Sequence, residues 1–266
     1  VIHSLTSENR FDDKEEIEIN DKGLGDYTVL MIGAGALGNF AGQELVLNGI
    51  GKLIIVDDDD IEETNLNRQV WFYGDVGERK ATALMKKFQK MNPDVDYKTM
   101  VKRIGPKDEK IFKDKSIDLI IDTVDNNKTR ALLNHFATKY QIPLISGGTR
   151  YNSGQTVVYK PGETACLDCQ VNIDQMALDA YTPQSCILAA QPSVITSNQI
   201  IGAFMMGEIR SVLDSENYGE PVHKVLKYIS ADDFRVGAIA TQQNCECHKD
   251  KKRHKEWMGK MKHLYE

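Results

Sequence analysis

The stretch that decides the fold is Val29-Leu30-Met31-Ile32-Gly33-Ala34-Gly35-Ala36-Leu37-Gly38, in which an apolar run leads into glycines spaced Gly-x-Gly-x-x-Gly. A short apolar run that ends at a glycine predicts a buried strand, here Thr28 to Ile32. The residues that follow have helical periodicity, and we expect a helix from Leu37 to Leu47. The stretch therefore predicts a strand, a tight turn and a helix that packs back on the strand.

The three glycines have distinct expected roles. Gly33 permits the tight turn, Gly35 allows a phosphate to approach the backbone, and Gly38 allows the helix and the strand to pack closely. The helix then presents free N–H groups to that phosphate. Asp57 ends the next predicted strand, Lys52 to Val56, where a carboxylate can accept both hydroxyls of a ribose. The pattern predicts a nucleotide site, but alone it does not distinguish NAD from ATP, and a structural turn is the alternative.

Polar residues farther along the chain favour ATP. In Asn65-Leu66-Asn67-Arg68-Gln69, Arg68 can chelate phosphate oxygens and Asn65 can donate to one without adding charge, while Lys80 supplies a point charge. Asp125, at the carboxyl end of another predicted strand, is placed to hold Mg²⁺ against the phosphates. Taken singly, Arg68 and Lys80 could be solvated surface charges and Asp125 a helix N-cap. Together with the glycine loop they favour a triphosphate over nicotinamide or flavin, which needs an apolar slot.

Strands and helices are predicted to alternate along the first 150 residues. Beyond the elements above, we expect strands at 97–104, 119–121, 143–146, 155–159, 225–230 and 234–240, and helices at 78–91, 128–140 and 194–213. This order predicts an α/β fold, a doubly wound, mostly parallel Rossmann-like sheet that antiparallel strands extend.

The bulk composition is that of a soluble globular protein. The 266 residues are 41% hydrophobic and 27% charged, and no apolar run approaches the length of a membrane span. The net charge of −6 makes nucleic-acid binding unlikely as a general activity. Five cysteines in two close pairs and a single fit a metal site and one thiol better than a disulfide framework, which predicts a cytoplasmic location.

These motifs together resemble the ThiF/MoeB/HesA adenylyltransferase family, whose fold is shared with ubiquitin-activating enzymes. The resemblance runs from about Arg10 to Cys247, and the residues that carry it are Gly33 to Gly38, Val56-Asp57, Asn65 to Gln69, Lys80, Asp122 to Asn126, Ser146-Gly147-Gly148, Cys166 to Cys169 and Ser185-Cys186. It implies that Asp57 holds the ribose of ATP, that Asn65, Arg68 and Lys80 hold phosphates, and that Asp125 holds Mg²⁺.

The resemblance also implies a substrate and a partner. Family members adenylate the C-terminal glycine carboxylate of a small ubiquitin-like or sulfur-carrier protein, and they are usually dimers. An arginine near the N-terminus often reaches into the partner's site, and Arg10 is the best match, although Asp13 stands where a second arginine is usual. A glycine carboxylate is already ionised at neutral pH, so its attack on the α-phosphorus needs no general base.

Four cysteines predict a zinc knuckle. Cys166-x-x-Cys169 and Cys245-x-Cys247 would make a closed tetrahedral Zn²⁺ site, which would tie the region after the core sheet to the end of the chain. The family usually closes this site with C-x-x-C, so the C-x-C pair is a departure, and His248 could replace one thiolate. The alternative is two pairs of inert buried cysteines.

Cys186 is the remaining thiol, and it lies shortly before the helix predicted at 194–213. Proximity to a helix N-terminus lowers the pKa of a thiol. In several branches of the family a cysteine in this region accepts the acyl group as a thioester, while others have a cysteine here with no required role. Catalysis by Cys186 is therefore one hypothesis, and simple burial is the other.

We expect a single adenylation domain over residues 1–266. Its predicted parts are an N-terminal arm (1–27), a nucleotide-binding core (28–150), a crossover segment with the zinc site and the sheet extension (151–247), and a basic tail (248–266). The tail has a helical apolar stripe, which either packs on the body or docks a partner. Other functions left open are adenylation of a peptide, of another small carboxylate or of a tRNA base, a non-catalytic nucleotide-binding scaffold, and an NAD oxidoreductase.

Overall fold

The structure is a computed structural model that describes residues 23–180, 193–221, 224–230, 232–238 and 251–265. The described strands form one eight-stranded sheet in the order β3-β2-β1-β4-β5-β6-β7-β8. The strands are β1 (Thr28–Ile32), β2 (Lys52–Val56), β3 (Asp96–Met100), β4 (Leu119–Asp122), β5 (Leu144–Arg150), β6 (Ser153–Tyr159), β7 (Lys224–Ser230) and β8 (Asp233–Ala238). The first five are parallel to one another, and β6, β7 and β8 extend the sheet by antiparallel pairs.

Helices cover both faces of this sheet. They are α1 (Ala36–Leu47), α2 (Lys80–Met91), α3 (Asn127–Tyr140), α4 (Leu167–Val171), α5 (Ile173–Asp179), α6 (Ile195–Leu213), α7 (Ser215–Tyr218) and α8 (Lys251–Met261). Strand β1 is buried throughout, and its alternate side chains enter two cores. Val29 and Met31 pack with residues of α1, α2 and α6, whereas Leu30 and Ile32 pack with residues of α3. This is the two-sided burial expected of a doubly wound sheet.

The predicted fold class is confirmed for the sheet and its extension. The bounds of β1 and β2 are those expected from sequence, and α1, α2, α3 and α6 each begin within two residues of the expected position. Two strands have an end that differs from the expectation by more than two residues. Strand β3 ends at Met100, and β5 continues to Arg150 because it pairs with β6 along its whole length.

The basic tail supplies a helix that packs on the body. Met261 and Leu264 are fully buried, and Trp257 stacks on His135 of α3 with 4.1 Å between ring centroids. Trp257 Nε1 also donates to Asp174 Oδ2 at 2.8 Å. The apolar stripe is therefore occupied within the chain, which favours packing over docking for this face. Among the described residues, no helix combines the length and hydropathy that crossing a membrane requires.

Strand order brings the predicted motifs to one edge. The order reverses between β1 and β4, and ligands of doubly wound sheets bind in the crevice outside the carboxyl ends of strands at such a point. The glycine loop follows β1, Asp57 follows β2, and Asp125 follows β4. The fold thus places these three motifs around one crevice.

Candidate functional site

The glycine loop makes the turn that its spacing predicts. Gly33 has a φ of +104°, in the left-handed region that favours glycine, and a Cβ at Gly38 would lie 2.2 Å from the carbonyl oxygen of Gly33. Gly35 differs, because the nearest atom to an added Cβ there is Gln69 Nε2 at 3.9 Å. Gly33 and Gly38 are thus required by the backbone, whereas Gly35 leaves open space at the N-cap of α1. The first turn of α1 itself contains no acidic residue, and the dipole of this helix end faces the crevice.

Asp57 is held against this loop by backbone donors. The amide of Ala34 donates to Asp57 Oδ2 at 2.7 Å, and the amide of Asp59 donates to Asp57 Oδ1 at 2.8 Å. Burial raises the pKa of Asp57 above its usual value, although these two amides and Lys80 oppose the shift. Each carboxylate oxygen retains further acceptor capacity. The side chain is thereby fixed in orientation and still able to accept from hydroxyl groups.

Lys80 is buried rather than a solvated surface charge. Its residue is 7% exposed, and Nζ lies 2.9 Å from Asp59 Oδ2. The amide of Lys80 also donates to the carbonyl of Asp59, so both ends of the lysine are attached to the turn after β2. Sequence reasoning did not identify Asp59, because the Asp57-Asp58-Asp59-Asp60 run does not indicate which carboxylate faces Lys80.

The loop that carries Asn65 and Arg68 is joined to the glycine loop by Asn39. Asn39 Nδ2 donates to the carbonyls of Ala34 and Gly35, both at 2.8 Å, and Asn39 Oδ1 accepts from the amide of Val70 at 3.1 Å. Nothing in the sequence singled out Asn39, since a polar residue in a helix is ordinarily a surface residue. It connects two loops that are distant in the chain.

Asn65 and Arg68 are both ordered within their own loop. Asn65 is buried, and its Oδ1 accepts from the amide of Glu62 at 3.1 Å. The half-buried Arg68 donates from Nη1 to the carbonyl of Thr64 at 2.7 Å and to Asn67 Oδ1 at 2.9 Å. These contacts use one of the two terminal nitrogens of Arg68, which leaves its second N–H group for a ligand.

Asp125 is an exposed carboxylate next to a rigid turn. The N-cap of α3 is Asn126, whose side chain accepts from the amide of Thr129 at 2.8 Å, so the alternative that Asp125 caps this helix is wrong. The only described contact of the Asp125 carboxylate is a 3.5 Å donation from Asn126 Nδ2. An exposed, weakly engaged carboxylate at a strand end fits a Mg²⁺ ligand, since this ion prefers carboxylate and phosphate oxygens.

The turn after β4 also touches the glycine loop directly. Thr123 Oγ1 donates to the carbonyl of Gly33 at 2.8 Å, and a Cβ on Gly33 would lie 2.8 Å from the same oxygen. The loops after β1 and β4 are therefore in van der Waals contact at the point where strand order reverses. Thr123 was quoted in the sequence motif without a role, which this contact supplies.

The second half of the predicted site is described in part. Cys166 is buried at the N-cap of α4, and Cys169 lies exposed within that helix. Cys245, Cys247, Cys186 and Arg10 lie outside the described residues. Within the described ranges, no group of three or more His, Cys, Asp or Glu side chains is arranged to hold a metal. The zinc knuckle, the thioester and the arginine from a partner remain predictions.

Comparison with known proteins supports the family resemblance that the sequence motifs indicate. Residues 14–249 match the model of the ThiF family. The SAMP-activating enzyme E1 of Haloferax volcanii is 30% identical over 234 residues, which cover 86% of this chain and 83% of that protein. The sulfur carrier protein ThiS adenylyltransferase of Bacillus subtilis is 35% identical over 152 residues, or 56% of this chain and 45% of that protein.

Solved structures confirm the fold. Escherichia coli MccB in its crystal structure with ATP superposes with a TM-score of 0.72 at 22% identity, covering 86% of this chain and 68% of that one. The chain spans less than half of the length of several curated relatives that it matches. The family match, in contrast, extends over most of this sequence. The chain therefore belongs to the ThiF family, as its motifs predict.

Proposed function

We propose that the protein is an ATP-dependent adenylyltransferase that activates the C-terminal glycine carboxylate of a small ubiquitin-like or sulfur-carrier protein. The observation that carries the proposal is the convergence of three strand ends at one crevice. There, the open N-terminus of α1, the buried ammonium of Lys80 and the exposed carboxylate of Asp125 provide complementary charges for a magnesium triphosphate. The names of the relatives from H. volcanii and B. subtilis support the same enzyme class.

The roles of the residues follow from their positions. Asp57 accepts the ribose hydroxyls, Gly35 gives room for a phosphate, and Asn65, Arg68 and Lys80 hold phosphate oxygens. Asp125 holds Mg²⁺, which neutralises phosphate charge when it is bound. Because Lys80 is already paired with Asp59, we expect its ammonium to be oriented before the nucleotide arrives.

The chemical step is one of positioning. An oxygen of the glycine carboxylate forms a bond to the α-phosphorus, the bond from that phosphorus to the bridging oxygen breaks, and pyrophosphate leaves with the electron pair. No proton moves, since the carboxylate is ionised at neutral pH. The protein lowers the barrier by fixing both reactants and by neutralising the charge that develops on pyrophosphate.

Further parts of the proposal concern residues outside the nucleotide-binding core. Cys166, Cys169, Cys245 and Cys247 bind a structural Zn²⁺. After adenylation the Cys186 thiolate attacks the acyl carbon of the adenylate, so that a thioester forms and AMP leaves. Two copies form a homodimer in which Arg10 reaches the partner's nucleotide. All of these rest on sequence spacing and on the family resemblance.

Pyrophosphate exchange tests the proposal. The protein is incubated with ATP, Mg²⁺ and labelled pyrophosphate, with or without a candidate carrier that ends in Gly-Gly. We expect label to enter ATP only with an intact carrier, because the C-terminal carboxylate of a carrier that lacks its last glycine ends one residue short of the α-phosphorus. A short peptide that supports exchange when no carrier does would favour the alternative of peptide activation. Tighter calorimetric binding of NAD⁺ than of ATP would overturn the nucleotide assignment.

A further inference from the structure

Arg130, in the first turn of α3, connects the end of β4 with β5. Its Nε donates to Asp122 Oδ2 at 2.7 Å, and its Nη2 donates to the carbonyls of Val124 at 2.6 Å and Gly147 at 2.7 Å. Asp122 belongs to β4 and Gly147 to β5. One guanidinium therefore bridges the end of β4 and the middle of its neighbour β5, and it does so beside the loop that carries Asp125.

The bridge is part of a buried network. Asp122 is fully buried, and the side chain of Arg130 is 15% exposed. The carboxylate of Asp122 also accepts from Ser146 Oγ at 2.7 Å and from the amide of Val124 at 3.1 Å. A buried ion pair of this kind carries a desolvation cost, so its presence is weak evidence for a gain in net stability, and what it orients is the more informative question.

The ion pair orients the backbone on the β4 side of Asp125. Val124 is held by its amide through Asp122 and by its carbonyl through Arg130. Asn126 is held on the other side, since its side chain caps α3. The intervening carboxylate has no comparably short contact among the described residues. Its position is therefore set by its neighbours, and on the β4 side by Arg130.

We propose that Arg130 is a positioning residue, which holds the Asp125 carboxylate where it can bind the Mg²⁺ of Mg·ATP. The proposal rests on the metal role of Asp125 in the proposed function. The planar fork of arginine suits this task because its nitrogens reach an acid and two carbonyls in different directions. A lysine would keep the charge beside Asp122 but would lose the bridge.

Calorimetric titration with ATP, in Mg²⁺ and again in EDTA, tests the proposal without requiring turnover. The measured quantity is the gain in ATP affinity that Mg²⁺ confers. We expect Arg130→Lys to lose about 10-fold or more of this gain, as is typical when a residue that orients a metal ligand is changed, while the affinity in EDTA stays unchanged. In an Asp125→Ala background, Arg130→Lys should cause no further loss, because Arg130 acts through Asp125.

Two controls separate positioning from general destabilisation. Ser146→Ala removes another donor to the same Asp122 oxygen but bridges no carbonyls, and it should keep the Mg²⁺ gain. Lys139→Gln removes the ion pair with Glu109 at the far end of α3 and should also keep it. If Arg130→Lys does not fold, the pair Asp122→Asn with Arg130→Gln removes both buried charges, and it should likewise lose the gain.

The outcomes are distinct. Arg130→Lys with an undiminished Mg²⁺ gain overturns the proposal, and so does an equal loss of ATP affinity with and without Mg²⁺. A wild-type protein with no Mg²⁺ gain overturns it as well. If the wild type shows the gain and Arg130→Lys loses it, yet no carrier supports pyrophosphate exchange, the positioning role stands and the proposed function fails.

Discussion

Between Thr28 and Arg150 the side chains predicted to bind ATP follow three adjacent strands, whereas the predicted zinc ligands lie in two pairs near opposite ends of the second half. In the first half, each motif directly follows its own strand, and the parallel pairing of the strands brings the motifs together. In the second half, the predicted chemistry requires Cys166 and Cys169 to meet Cys245 and Cys247 across much intervening chain. The comparison teaches that this fold can assemble its proposed nucleotide site from local units, whereas the predicted zinc site would need a metal to join two distant pairs of cysteines.

The largest expected effect tests the first half. Asp125→Ala should abolish carrier-dependent exchange of pyrophosphate into ATP, with a loss of at least about 10²-fold, because the carboxylate proposed to hold the phosphate-neutralising Mg²⁺ is gone. Asp60→Ala is the control, since Asp60 lies in the turn after β2, at the same edge of the sheet, but is exposed and paired with Arg79. We expect this control to remain close to wild type. Near-normal exchange in Asp125→Ala would remove the metal role from Asp125.

Cys186→Ala should separate adenylation, which we assign to the first half of the chain, from acyl transfer to sulfur, which we assign to the second half. Adenylation needs no thiol, whereas transfer to sulfur needs a thiolate, of which an ordinary cysteine has only a few per cent at pH 7. The variant should retain pyrophosphate exchange and lose the reductant-sensitive covalent complex with the carrier on a non-reducing gel. A complex that persists in the variant would show that Cys186 is not the acceptor.

Cys166→Ser tests whether zinc joins the two pairs of cysteines in the second half of the chain. Structural zinc contributes on the order of 10 kcal/mol to folding, so removal of one ligand should lower Tm sharply. Metal analysis of the wild type should find about one Zn²⁺ per chain, as four ligands require. A metal-free wild type that melts normally would favour two pairs of inert cysteines.

The contrast between the two halves of the chain also explains which features could be predicted from the sequence. The bounds of β1 and β2 follow from their apolar runs, and the roles of Gly33 and Gly38 follow from their spacing, because both signals lie within a few residues. Family membership was likewise evident from the motifs. Local patterns thus predicted the architecture of the first half and the edge at which its motifs meet.

Contacts between distant segments could not be predicted in the same way. The bridge from Arg130 to Gly147 exists only because β4 and β5 are neighbours, and the burial of Lys80 depends on its pairing with Asp59. Helices α4 and α5 were missed because each is too short to show a helical periodicity. These features required the tertiary structure, since nothing within the local sequence specifies the partner.

A pair of glycine substitutions gives a smaller effect and separates folding from binding. Gly38→Ala should destabilise the protein by about 1–3 kcal/mol, because its Cβ would lie 2.2 Å from the Gly33 carbonyl oxygen. Gly35→Ala should leave Tm unchanged, since the nearest atom is 3.9 Å away and its φ of −76° suits alanine. It should nevertheless weaken ATP binding, because the methyl group occupies the proposed phosphate space. Thermal melts and calorimetry measure the two effects, and a Gly35→Ala protein with normal ATP affinity would place the phosphate elsewhere.

The smallest expected effect is a pH dependence at Asp57, where stability and binding oppose each other. Burial raises the pKa of this carboxyl in the folded state, so the folded protein holds its proton to a higher pH than the unfolded chain does. The contribution of Asp57 to stability is therefore full below the unfolded pKa and is lost as pH rises through the folded pKa. Asp57→Asn removes this dependence, so the Tm of the variant relative to wild type should rise between pH 4 and pH 7.

Binding should change in the opposite direction. An amide offers a single acceptor oxygen where the carboxylate offers two, so Asp57→Asn should bind ATP more weakly at pH 7 while melting comparatively better. Melts at several pH values, paired with ATP titrations at neutral pH, measure both quantities. A relative Tm that does not change with pH would mean that Asp57 is not desolvated in the folded protein, and unchanged ATP affinity would remove it from the ribose site. The opposition is expected because a charge kept in a half-buried crevice costs stability until a ligand with hydroxyl donors engages it.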